Sequence, residues 1–159
     1  MKNKMMVLLG TAVVVCVFHL SALNAAAADL HAHFNLQGSG FKCLGAQLTL
    51  GGQTYTVKVG DTISCVSGGI PSGTSVNVKL QFLGNIVSGC GGPITDKCSG
   101  TFTLNNSTSS GTICTTTGYE KGWNSLRYTI NQSTSSTCGL LGSWDVIFIM
   151  ENTTPYAPL

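Results

Sequence analysis

Beyond residue 28 apolar and polar residues alternate with a period of two, and no stretch sustains the 3.6-residue period of an amphipathic helix. In Leu30–Leu36, the side chains of Leu30, Ala32, Phe34 and Leu36 share one face, and His31, His33 and Asn35 share the other. Leu44, Ala46, Leu48 and Leu50 alternate next, and Gly51-Gly52 turns the chain into Tyr55, Val57 and Val59. Gly60-Asp61 marks another turn, into Ile63 and Cys65. After the loop 68–73, the clearest strand runs from Val76 to Phe82 with Val76, Val78, Leu80 and Phe82 inward. A Gly- and Cys-rich middle precedes a strand at Thr101–Leu104, and Asn105–Gly111 reads as a polar turn. Leu126, Tyr128 and Ile130 mark one more strand. The last is Trp144–Met150, where Ile147 and Ile149 make the second face apolar too, so this strand is expected to be covered on both sides. Such a succession of eight or nine short strands with turn signals predicts an all-β fold, an antiparallel β-sandwich.

The first 28 residues follow a different rule. Lys2 and Lys4 precede an apolar run from Met5 to Leu20, and a small-residue segment ends at Ala28. Basic, apolar, small is the order of a secretory signal peptide, with cleavage expected after Ala28 or Ala27. Thr11, His19 and Ser21 interrupt the run, which argues against a retained span of about 20 apolar residues. The domain plan is therefore a signal at 1–28, an N-terminal strand and hinge at 29–40, a sandwich domain at 41–151, and an extended tail at 152–159. The expected destination is the cell surface, the extracellular space or the periplasm.

Removing the signal changes the charge. The net charge of +2 comes from Lys2 and Lys4, and the six cations that remain face six carboxylates. No basic surface is left to neutralise phosphates, so nucleic acid is not an expected partner. Only 9% of residues are charged, against about 25% in an ordinary soluble domain. A Ser-, Thr-, Gly- and Asn-rich neutral surface suits contact with glycans or with copies of the same chain.

Cys16 leaves with the signal, and Cys43, Cys65, Cys90, Cys98, Cys114 and Cys138 remain. Six cysteines in an exported chain predict three disulfides, whose connectivity spacing alone leaves open. Pairing of neighbours is the expectation: Cys43–Cys65, Cys90–Cys98 and Cys114–Cys138. The turn Gly91-Gly92-Pro93 supports the second of these most directly.

Hydrolase motifs are absent, and both histidines of the mature chain lie at its N-terminus. An enzyme is not expected, although two placed carboxylates such as Asp61 and Asp96 are all a glycosidase requires. Three non-enzymatic readings compete. The alternating segment at 30–36, followed by Gln37-Gly-Ser-Gly40, is a hinged strand able to dock into a neighbouring subunit through Leu30, Ala32, Phe34 and Leu36. In this pattern it resembles the donor-strand pilins, which implies a pilin-like sandwich and a homopolymeric filament. Tyr119 and Trp123, in a Gly-bounded polar stretch, suit stacking on sugar rings. Finally, cleavage after Ala28 would leave Asp29-Leu30-His31, whose amine, amides and imidazole form a square-planar set for Cu(II), with His33 nearby. That triplet resembles the amino-terminal copper site of serum albumins. The segment 60–65, Gly-Asp-Thr-Ile-Ser-Cys, resembles an immunoglobulin-type strand entry and implies that architecture alone. The filament subunit is the leading expectation, with the glycan-binding module and the copper protein as alternatives.

Overall fold

The computed structural model describes residues 31–66, 68–105, 107–116, 125–133, 138–139 and 142–151. The signal segment, Asp29, Leu30, Tyr119, Trp123 and the tail at 152–159 lie outside the described residues. Nine strands form among the described residues: β1 (Ala32–Gln37), β2 (Leu44–Leu50), β3 (Gln53–Lys58), β4 (Thr62–Val66), β5 (Ser75–Leu83), β6 (Ile94–Thr103), β7 (Ser109–Thr115), β8 (Ser125–Ser133) and β9 (Ser143–Glu151). No helix occurs among the described residues. The strands make a β-sandwich, with one sheet ordered β4-β1-β9-β8-β7 and the other β3-β2-β5-β6.

Alternation explains the core. Ala32, Phe34 and Leu36 of β1, Leu44, Ala46, Leu48 and Leu50 of β2, and Val76, Val78, Leu80 and Phe82 of β5 are all buried in one cluster. Trp144, Val146, Phe148 and Met150 of β9 complete it, while Ile147 and Ile149 on the outer face are half-buried. The buried Trp144 keeps its indole satisfied by donating Nε1–H to the Asn105 carbonyl at 2.7 Å. The β2–β3 hairpin turns at Gly51 and Gly52, with φ of 56° and 81°. Two successive residues at positive φ are what the commonest tight hairpin requires.

Three expectations need correction. The sandwich is not antiparallel throughout, because β1 pairs in parallel with β9. The Gly- and Cys-rich middle conceals most of β6, and the polar turn conceals the first three residues of β7, whose remainder is not among the expected strands. Both are edge strands with exposed residues along their length, so neither carries a continuous apolar signal. The disulfides also differ from the neighbour pairing: they join Cys43–Cys90, Cys65–Cys138 and Cys98–Cys114. Strand register decides this. Leu44 pairs with Phe82 and the Leu83 amide donates to the Cys43 carbonyl at 2.7 Å, which carries the turns leading to Cys90 beside β2. Cys98 pairs with Leu80, and Cys114 with Leu126, so both cysteines sit at core-facing positions on the edges of opposite sheets. There β6 approaches β7 so closely that a Cβ on Gly100 would collide with the Ile113 carbonyl oxygen.

Phe148 lies between two rings, stacked on Phe34 at 5.9 Å and edge-on to Phe102 at 5.8 Å. Phe148→Ala is expected to cost about 3–5 kcal/mol. Thr101→Ala, on the outer face, is expected to stay within about 1 kcal/mol. Urea denaturation monitored by tryptophan fluorescence compares the two.

Candidate functional site

The leading sequence candidate, the N-terminal strand, occupies the slot between β4 and β9, one strand in from the edge of the five-stranded sheet. Its apolar face explains why it enters. Ala32, Phe34 and Leu36 are each at most 1% exposed, and Phe34 stacks on Phe148 with an interplanar angle of 11°. Burying a side chain the size of Phe or Leu contributes roughly 1.5–3 kcal/mol, so these three residues provide most of the reason for β1 to be there.

Main-chain pairing fixes its direction. β1 runs parallel to β9, from Ala32 opposite Trp144 to Gln37 opposite Ile149. It runs antiparallel to β4, with Ala32 opposite Val66 and Phe34 opposite Ile63. At one end Trp144 N–H donates to the His31 carbonyl at 2.8 Å. At the other, Gly60 N–H donates to the Leu36 carbonyl at 3.0 Å, and Leu36 N–H donates to the Asp61 carbonyl at 3.3 Å.

The outer face adds one polar pair to each wall. Asn35 donates Nδ2–H to Thr62 Oγ1 on β4 at 2.7 Å. His33 Nδ1 lies 3.7 Å from Asp145 Oδ1 on β9, within ion-pair range but too long for a hydrogen bond. Both rows are broken by a register slip of one residue, which would also turn Phe34 to solvent. Along the same seam, His31 Nδ1 and Nε2, Asn35 Oδ1, Ser143 Oγ and Asp145 Oδ1 are buried without a hydrogen-bond partner among the described residues. The β1–β9 seam is therefore strongly held on its apolar side and poorly satisfied on its polar side.

The other candidates separate from this slot. Of the copper set, His31 and His33 lie on the outer face of β1, and Asp29 lies outside the described residues. Among the described residues no three His, Cys, Asp or Glu side chains are placed to hold a metal ion. Tyr119 and Trp123 lie outside the described residues and are not located relative to β1. Asp61 accepts from the Lys58 amide at 3.3 Å in the β3–β4 turn, whereas Asp96 stands on β6 at the far edge of that sheet. Three strand spacings, roughly 14 Å, part the two edges of that sheet.

Sequence reasoning missed the walls of the slot. Ser143 and Asp145 stand at alternate positions opposite Trp144 and Val146, so the polar face of β9 is visible in the pattern. Its partner strand is not, because β1 lies more than 100 residues upstream. Asp96 was visible only as a carboxylate. It accepts from Gln81 Nε2 at 2.6 Å and from Lys79 Nζ at 3.0 Å.

Two measurements follow. In a double-mutant cycle, Asn35→Ala and Thr62→Ala are expected to couple by about 0.5–1.5 kcal/mol. The Gln81 amide first, and then Lys79, hold the Asp96 carboxyl below its ordinary value of 3.8. Its stabilising contribution is thus present above that value and lost as pH falls through the lower folded one. NMR titration should place the Asp96 midpoint below 3.8, and Gln81→Ala should raise it. In comparisons with protein-family models, curated proteins and solved structures, the chain matches none.

Proposed function

We propose that the mature chain is a secreted, self-assembling filament subunit in which β1 of one copy fills the slot between β4 and β9 of the next. One observation carries the reading. β1 is an interior strand, yet it precedes Cys43, the first disulfide-bonded cysteine, and so lies outside all three covalent loops. The segment 38–43 joins it to β2 and spans at most about 20 Å when extended. Its release breaks no covalent bond.

Exchange of this kind is head-to-tail. A rotation that does not close on itself then yields an open fibre, and the apolar pockets left by one β1 accept another of the same sequence. The equal numbers of cations and carboxylates in the mature chain keep repulsion between copies small. Three disulfides suit an oxidising compartment. Among the described residues no helix is long and apolar enough to cross a membrane. The reading brings with it a pilin-like type of sandwich and a place on the cell surface or outside the cell.

Electron microscopy and light scattering of the purified mature protein test this. Filaments are expected, and deletion of 29–37 should abolish them. An intact protein that stays a monodisperse monomer at high concentration would rule the proposal out.

A further inference from the structure

We infer that the Cys65–Cys138 disulfide holds the two walls of the β1 slot together while β1 is out, so that the slot persists as an acceptor for β1 of a second copy. The inference rests on the reading of β1 as an exchangeable strand. It concerns what happens to the site once that strand has left.

β4 stands at the end of its sheet, and among the described residues its sheet neighbour is β1 alone. Its chain neighbour β3 belongs to the other sheet. β9, by contrast, remains paired with β8 along its whole length, from Ser125 opposite Glu151 to Ser133 opposite Ser143. Withdrawing β1 therefore removes every main-chain bond between β4 and the rest of its sheet. One covalent link spans the gap: Cys65, near the end of β4, is bonded to Cys138, just upstream of β9, with their Cα atoms 5.5 Å apart.

The other two disulfides behave differently. Cys43–Cys90 lies beside the β2–β5 pairing, and Cys98–Cys114 lies where β6 meets β7. Each joins elements that already touch. Cys65–Cys138 joins the flanks of a strand that comes between them.

The backbone of β4 is shaped for this link. Pairing steps from Ala32 opposite Val66 to Phe34 opposite Ile63, so β4 carries one extra residue over that interval. Bulges of this kind bend a strand and re-aim a side chain. Cys65, within the bulge, has a φ of 56°, the one non-glycine residue at positive φ among the described residues. Residues with side chains rarely adopt that conformation, and here it falls on the residue bonded to Cys138. With β1 between them, β4 and β9 are two strand spacings apart, roughly 9.6 Å. The bridge thus ties β4 to the segment leading into β9 at the Ala32 end of the slot.

The test uses the full mature chain and a fluorescent synthetic peptide of residues 29–38 as the probe. Wild type is expected to take up the peptide one to one on prolonged incubation, read by native mass spectrometry and fluorescence anisotropy. C65A/C138A is expected to take up at most one tenth as much, whereas C98A/C114A should behave as wild type. Equal uptake by C65A/C138A, or no uptake by wild type, overturns the inference. Should C65A/C138A fail to fold, wild type alone decides. A peptide with benzoylphenylalanine at position 34 must then photocrosslink to both segments 62–66 and 143–148, and labelling of one wall only overturns the inference. Disulfide-dependent uptake by a chain that never forms filaments would remove the proposed function and keep this inference. Filaments with disulfide-independent uptake would do the reverse.

Discussion

Insertion of β1 between β4 and β9 is the contact on which the rest of this sandwich depends. It completes the five-stranded sheet, attaches β4 to it, and places Phe34 against Phe148 at the centre of the core. The pairing with β9 is parallel, the geometry that is slightly weaker per residue and cannot be made by a hairpin. Affinity therefore comes from the side chains. Ala32, Phe34 and Leu36 drive the strand inward, while the backbone and the outer-face pairs with Thr62 and Asp145 determine where along the slot it stops.

The two sheets close their margins by different means. At the β6–β7 margin the sheets are drawn together by Cys98–Cys114 and by the bare backbone of Gly100. At the opposite margin β3 and β4 are joined by a short turn, and Asp61 in that turn bonds both to its own hairpin and to the end of β1. Unpaired strand edges invite other chains. Apart from Ile94 at its start, the exposed residues along β6 are charged or hydroxylic, including Asp96, Ser99 and Thr101, which discourages that edge from pairing with another.

How much of this was legible in the sequence depended on burial. β1, β2, β5 and β9 announce themselves because one face of each is fully apolar and enters the core. β7 hides, since Ser109, Ser110 and Thr112 are the residues of a turn as much as of an exposed edge strand. The inner face of the candidate site was readable for the same reason as β1 itself. Its walls were not: the residues that line it come from segments about 30 and about 110 positions away, and local periodicity contains no information on which strands become neighbours. The disulfides failed on the same ground. Cys90 and Cys98 are close in sequence, but β5 and β6 pair so that Cys98 faces β7 instead.

The parallel seating of β1 against β9 also sets an order of events in folding. β1 pairs with β9, about 110 residues later in the chain, and contacts of such separation form slowly because a long loop must close first. For as long as β9 is missing, the apolar face of Ala32, Phe34 and Leu36 has no home in its own chain. Every nascent copy thus passes through a stage in which it offers a strand before it has anywhere to put it.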